Sequence, residues 1–544
     1  MGDWMSEANM TALAGKRSFF SASGDTSEIA YEPTFLEALA PALANIAKYG
    51  IKVAVNAGGS DTERLAIAVR GMIGGMGLNL KVAWVEGDDV TKAVKARIAD
   101  GKDDFLNLCT QGKLKDWEFD PIAAQAYLGG LGIAKALEDH DIVVCGRVSD
   151  ASPVIGAAVW WHKWSRNNLD ELANAFVAGH LVECSNYVCG GNFTGFRGLP
   201  GDLCDIGYPI AEISQDGAVV ITKQKGTGGC VSVDTCKAQL LYEIQGPWYF
   251  NSDVTAILDS ISFEQLSTDR VALHGVKSAP PPPTTKIGIT AQGGFQAEVH
   301  WFLVGLDIPE KARLLETQIR HALSQHGPLS RFHVLEFTLN GSSPENPTSQ
   351  TAATVDFRCF AQARKVESIM PDKFLRPIID LIMCSYPGAT FHLDFRQGIP
   401  KPVFEYYVTL LPQTDMSHVV HCEDDRAIDI PPPTTTRTYP TQQPSQDTPL
   451  QKAGGQDFGP TVKGPLGWLV HARSGDKGSN ANVGFWVRHN DEYDWLRNLL
   501  TTSTIKELLA DEYNGEKIVS EVLCPMTCRL NKGRMGMKRM LNLR

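Results

Sequence analysis

Three short apolar runs in the first 150 residues each stop at glycine and polar residues, and this rhythm limits the fold more than anything else in the chain. They are IKVAVNAGG (51–59), KVAWVEGDD (81–89) and HDIVVCGR (140–147). The segments around them are patterned as helices. Residues 35–49 carry apolar positions at helical spacing and end at Gly50, residues 62–77 repeat the pattern, and 121–139 is expected to be a further helix. Strands alternating with helices in this way form a parallel sheet with helices on its faces. The expected fold class is α/β, followed by an α+β region and a small α+β C-terminal domain.

Two proline-rich breaks set the divisions. SAPPPPTTK (278–286) cannot continue a helix or a central strand. Beyond it, KIGITAQGG and QAEVHWFLVGL read as two strands and EKARLLETQIRHALSQHG as a helix. RFHVLEFTLNG, TAATVDFRCFAQ, ATFHLDF and VFEYYVTLL read as further strands, and FLRPIIDLIMCSY as helical. Residues 430–464 are rich in Pro, Thr, Gln and Gly and too poor in apolar residues to build a core. The expected domains are therefore an α/β domain over 1–278, an α+β region of the same large domain over 287–429, a linker over 430–464 and a small α+β domain over 465–544.

A net charge of -11 repels phosphate backbones, so nucleic acid is not an expected partner. Lys532, Arg534, Lys538, Arg539 and Arg544 read as a solvated basic tail. The 12 cysteines are scattered without a CxxC pair, as in reduced cytosolic proteins. No secretory signal and no run of transmembrane length is visible, so the expected location is cytoplasmic, with no membrane partner. A small domain on a long linker often docks on a neighbouring subunit, which makes a homo-oligomer the expectation.

Ligands of open parallel sheets bind beyond the carboxyl ends of the strands. Asn56, Gly58, Gly59 and Asp61 follow the first run, Glu86–Asp89 the second, and Arg147 and Asp150 the third. If the strands are parallel these clusters share one rim. The planar fork of Arg147 suits a substrate carboxylate. Asp61 and Asp150 have a plainer role open to them, as caps of the following helices. His180, Glu183 and Cys184 lie three and four residues apart and would share a helix face. They could serve as acid, base and nucleophile, or hold zinc. No third protein ligand can be placed, so no metal is assigned. TKQKGTGGCVS (222–232) offers Lys223 to an anion, or is a hairpin turn between VVIT and CVSV. HVVHCEDDRAID (418–429) reads as a surface strand end. In the last domain two apolar strands flank ARSGDKGSNAN (472–482), a polar loop presenting Arg473, Ser474, Asp476, Lys477, Asn480 and Asn482. There is no Rossmann fingerprint, P-loop or GxSxG elbow, and no cofactor is expected.

NAGGSDTERLA, GRVSDAS, AGHLVECSNYVCGGNF, GYPIAEI, DGAVVITKQKGTGGCVSVDTCKAQLLYEI and ARSGDKGSNANVG, in that order and spacing, resemble the acyclic terpene utilisation (AtuA-like) family with its appended C-terminal domain. The resemblance implies a role in degrading acyclic terpenes or branched acids as acyl thioesters, or in secondary metabolism. It also implies a strand and a glycine-containing loop before the segment that matches GDWMSEANM, where this chain starts, and a glycine-rich end where this chain reads LCPMTCRLNKGRMGMKRM. The leading expectation is a lyase or hydro-lyase acting on a branched unsaturated carboxylic acid or its CoA thioester. Arg147 and Arg473 would hold the anion and Asp150, His180 or Glu183 would move the proton. The alternatives are a hydrolase using Cys184 or a metal, and a non-catalytic ligand-binding or scaffold subunit.

Overall fold

A computed structural model describes residues 1–23, 28–102, 105–440, 443, 460, 462–477, 480–524 and 528–533. Of the basic tail, Arg534, Lys538, Arg539 and Arg544 lie outside the described residues. The chain divides into two compact units, one formed by 1–117, 122–289 and 406–544, the other by 118–121 and 290–405. The division falls within one 21-residue strand, Thr284–Val304, not at the prolines. The two strands read in 286–306 are this single strand.

In the first unit, helices α1 (Glu7–Ser23), α2 (Thr34–Leu39) and α3 (Leu43–Tyr49) precede β1 (Val53–Val55). Gly50 ends α3 in the left-handed conformation, φ 62°, which only glycine adopts without cost. There follow α4 (Thr62–Gly75), β2 (Val82–Glu86), α5 (Thr91–Ala99), β3 (Pro121–Ala126), α6 (Leu131–Leu137), β4 (Ile142–Cys145), α7 (Ser152–His162), α8 (Leu169–Val182) and α9 (Val233–Leu241). Residues 121–126, expected to be helical, are instead strand β3, and the helix there is the short α6. Its short, largely apolar sequence fits a buried strand as well as a helix, which periodicity alone does not separate.

β4 lies between β1 and β2 and pairs with both in parallel, with Ile142 opposite Val53 and Val82. The order explains the sequence. IVVC is buried at all four positions because it is an interior strand with helices on both faces. On the other side of β2 the hairpin Val419–His421 and Ala427–Asp429 adds two antiparallel strands, so the 418–429 segment completes this sheet. The segment expected as CVSV does not form a strand. Ser232 caps α9 there through a reciprocal capping box with Thr235.

The C-terminal domain has a four-stranded antiparallel sheet ordered His471–Lys477, Asn480–Trp486, Cys528–Gly533, Ile518–Cys524. Helices Asn490–Leu499 and Thr502–Leu509 bury Tyr493, Leu496, Ile505 and Leu509 in its core. The expected polar loop is therefore a hairpin. The strands run on through Arg473–Lys477 and Asn480–Asn482, and only 478 and 479 at its tip lie outside the described residues. Polar residues hid the strand because one face is solvated and the other is covered by α9.

The second unit is an α+β layer. Strand Thr354–Ala363 buries every second residue and pairs with Val334–Asn340 and with Phe295–Val304. Helix Ile308–Ser324 buries Ala312, Leu315, Ile319 and Leu323 around Trp301, a stripe at helical spacing. Among the described residues no helix is long and apolar enough to cross a membrane.

Candidate functional site

Because β1, β4 and β2 are parallel, their carboxyl ends and the polar residues that follow lie along one edge. The Gly58 N–H donates to Cys145 O at 2.8 Å. Asp88 Oδ2 accepts from the Arg147 N–H at 2.8 Å and from Gln125 Nε2 at 3.1 Å, and Gln125 also donates to Gly59 O at 3.0 Å. Gly146 must be glycine, since a Cβ there would stand 2.3 Å from Asp88 Oδ2. Burial raises the Asp88 carboxyl to about 6, against the hydrogen bonds from Arg147 and Gln125. Asp61 holds the N-cap position of α4 and pairs with Arg64 at 3.2 Å.

Arg147 is fully buried just beyond β4. Its Nη1 donates to Met5 O and to Asp150 Oδ1, both at 2.7 Å, and its guanidinium lies 4.1 Å from the Tyr127 ring centroid. Nε and Nη2 have no hydrogen-bond partner among the described residues, an expensive state for a buried cation. Asn56, at the end of β1, accepts from the Trp4 N–H and donates to Asp3 Oδ1, each at 2.6 Å. Asp3 is thereby held in the same environment. Burial, then the charges of Asp150 and Glu183, raise its carboxyl to about 8, against the Asn56 bond and the Arg147 charge.

The opposite wall comes from α8. Its last turn presents His180, whose Nδ1 lies 3.0 Å from Glu183 Oε1 and whose Nε2 lies 3.3 Å from Leu240 O. Burial alone would lower the His180 pKa, but the hydrogen bond and charge of Glu183 outweigh it and raise it. The helix stops at Val182. Glu183 is extended, and Cys184 and Ser185 take φ of 55° and 63°. Cys184 therefore does not share a helix face with His180 as the spacing suggested. Burial and then the charges of Glu183 and Glu243 push its thiol pKa up, away from the reactive thiolate.

Glu243 arrives from just beyond α9, with φ 59°. Carboxylate oxygens of Asp150, Glu183 and Glu243 all lie within 4.8 Å of one another. The second oxygen of Glu183 is buried with no hydrogen-bond partner among the described residues. Asp3, Glu183 and Cys184 also line a cleft of about 780 Å³. Its other walls combine apolar side chains such as Trp4, Val154, Trp161 and Ile210 with Lys52 and His162.

The C-terminal hairpin closes on the same place. Strand alternation puts Arg473 and Asn482 on its buried face and Ser474 and Asp476 on its exposed one, with Asn480 half-buried. The Lys477 side chain lies outside the described residues. Arg473 lies 4.3 Å and 4.4 Å from the rings of Tyr187 and Tyr242, and its Nη1 donates to Asn192 O at 3.1 Å. Its Nε and Nη2 are buried without partners among the described residues. Asn482 Nδ2 donates to Leu241 O at 2.7 Å. Trp486 and Arg488 both donate to Asp234, at 3.1 and 2.8 Å. Gly475 allows the approach, because a Cβ there would stand 2.8 Å from the Glu243 N.

Lys223 is placed elsewhere. Its ammonium donates to Thr227 O and Thr227 Oγ1 at 2.8 Å and to Gln224 O at 3.4 Å, so it closes its own turn instead of offering its charge to an anion. Asn56, Arg147, Asp150, His180 and Glu183 are brought together, with Cys184 on the cleft wall and Arg473 beside Tyr242. Sequence reasoning missed Asp3, Glu243, Tyr187 and Tyr242. Glu243 sits at the end of an ordinary helix pattern and carried no signal. Asp3 stood outside any strand end.

A family profile described as acyclic terpene utilisation family protein AtuA matches residues 1–422, and one described as the AtuA ferredoxin-like domain matches 464–523. Searches of curated proteins and of solved structures returned no match.

Proposed function

The chain belongs to the acyclic terpene utilisation family, and from that premise we propose that it is a hydro-lyase acting on a branched unsaturated carboxylic acid or its CoA thioester. The observation that carries this reading is the cluster of Asp150, Glu183 and Glu243 carboxylates, with Asp3 in its field, beside a cleft that Asp3 and Glu183 line. The apolar walls take the branched chain. The unpaired N–H groups of Arg147 and Arg473 take the acid's carboxylate or the thioester's phosphates, for which a guanidinium fork is suited. The Asp150–Glu183–Glu243 group holds water and accepts its proton as the oxygen bonds to the β-carbon. Asp3 delivers a proton to the α-carbon, and the double bond becomes a hydroxy acid. In the reverse direction the same groups expel water.

Such acid–base catalysis is worth roughly 10²–10⁴-fold. The hydrolase reading that uses Cys184 is weaker, because burial and the adjacent carboxylates disfavour a thiolate. The test is turnover of a panel of branched enoic acids and their CoA thioesters, followed by loss of enoyl absorbance. Wild-type protein is expected to hydrate at least one, and Asp150→Asn to do so about 100-fold more slowly. Equal rates would take Asp150 out of the mechanism. Binding by both proteins with no turnover would make the chain a ligand-binding subunit instead.

A further inference from the structure

We propose that Asp150, Glu183 and Glu243 form a binding site for one hard divalent cation of the Mg²⁺, Mn²⁺ or Ca²⁺ kind. Three independent elements supply the ligands: the loop after β4, the end of α8 and the end of α9. One carboxylate oxygen from each lies within 4.8 Å of the others. Ca²⁺ holds oxygens at about 2.4 Å and Mg²⁺ at about 2.1 Å, so opposite ligands of a single ion stand about 4–5 Å apart. The set therefore closes on one ion with little movement.

A second observation points to a ligand independently of the clustering. Glu183 is 2% exposed. One of its oxygens is 3.0 Å from His180 Nδ1, and the other is buried with no hydrogen-bond partner among the described residues. A buried carboxylate oxygen left in that state costs several kcal/mol unless something positive meets it. His180 stands where the outer-shell partner of a metal-ligating carboxylate stands, fixing one oxygen and orienting the other.

The donor set selects the ion. It is all carboxylate, which suits hard cations. The His–Glu–Cys zinc set suggested by the sequence is not assembled, because both His180 nitrogens have near neighbours in Glu183 and Leu240 and Cys184 has left the helix. The inference deepens the hydro-lyase reading and rests on it only for the ion's role, which is to hold the reacting water among the three carboxylates.

The test uses the full-length chain stripped with chelator and titrated with Mn²⁺, followed by electron paramagnetic resonance. Wild-type protein is expected to bind one Mn²⁺, displaced by Mg²⁺ or Ca²⁺. Glu183→Gln and Glu243→Gln should each weaken binding at least tenfold, while Asp424→Asn, at an exposed ion pair, should leave it unchanged. As a readout that needs no variant, Fe²⁺ with ascorbate and peroxide should cleave the wild-type backbone near residues 150, 183 and 243, and excess Mg²⁺ should suppress the cleavage. Absence of Mn²⁺ binding at millimolar concentration overturns the proposal, as does cleavage confined to other segments. Cation binding without hydration of any acid would leave the site standing and sink the hydro-lyase reading. Hydration that persists in chelator without cation binding would do the reverse.

Discussion

Lys223 and Arg147 are both buried cations at the ends of strands with glycines close by in sequence, yet they are in opposite states. The Lys223 ammonium donates to three acceptors within its own turn. Arg147 donates through one nitrogen and leaves two buried and unpaired. A buried polar group that is fully satisfied by its own loop is explained by folding alone. One that keeps an unsatisfied remainder has been placed for something else, because its cost is not recovered within the chain. Glu183 and Arg473 share that condition with Arg147: Glu183 lines the cleft, Arg147 pairs with Asp150, and Arg473 stacks on Tyr242 next to Glu243. The contrast breaks most sharply on one pair of variants. Arg147→Lys keeps the charge and loses the fork, and turnover of the hydrated acid should fall by about 100-fold or more. Lys223→Met leaves buried acceptors unpaired and should cost about 1–3 kcal/mol of stability in urea, with turnover within about twofold of wild type. If Lys223→Met lost activity to the same extent, satisfaction of hydrogen bonds would not separate the two regions.

Arg473 extends the comparison, since its unpaired nitrogens come from a different domain. Its seat between Tyr187 and Tyr242 depends on close approach of the hairpin to the end of α9, where Gly484 packs on Leu241 and Gly475 on Tyr242 and Glu243. A methyl on Gly475 would press on the Glu243 N and the Tyr242 ring, each 2.8 Å away, and backbone cannot yield cheaply. Gly475→Ala should therefore lift the hairpin, lowering kcat/KM by about tenfold while the melting of the main domain is unchanged. Activity equal to wild type would show that the C-terminal domain docks without contributing to the cleft.

The sheet was legible from sequence because its strands are short, β-branched and punctuated by glycine, and their parallel order follows from the helices between them. The rim followed directly, so Asn56, Arg147 and Asp150 could be named. What sequence could not give was convergence from the other side. Glu243 reaches the cluster only because α9 ends at Leu241 and the chain turns through a left-handed residue, which no residue type there announces. Cys184 was misplaced for the complementary reason. Its spacing from His180 is helical, but the helix ends two residues earlier and tertiary contacts decide where a helix stops. The hairpin 472–482 looks like a loop in sequence because a strand with one solvated face and one face docked through polar groups has no apolar alternation to find.

Asp88 provides the finest test of the distinction, because it is a buried acid on the rim that is nonetheless satisfied, by the Arg147 N–H and Gln125. It should behave as structure, with the signature of burial. Its carboxyl titrates near 6 in the folded chain, raised mainly by burial, against about 3.9 when unfolded. Between those values the folded state holds a proton that the unfolded state has released, so stability is highest below about pH 4 and falls as pH rises to about 6, by at most about 1.4 kcal/mol per pH unit. Asn at this position can accept both hydrogen bonds and does not titrate. The stability of Asp88→Asn relative to wild type, from urea midpoints at pH 4, 5, 6 and 7, should therefore rise across pH 4–6 and level off above it, while turnover stays close to wild type. A constant difference across the range would mean that Asp88 is not held in the dry, proton-retaining position described above. A large loss of turnover would move it from the satisfied group to the reacting one.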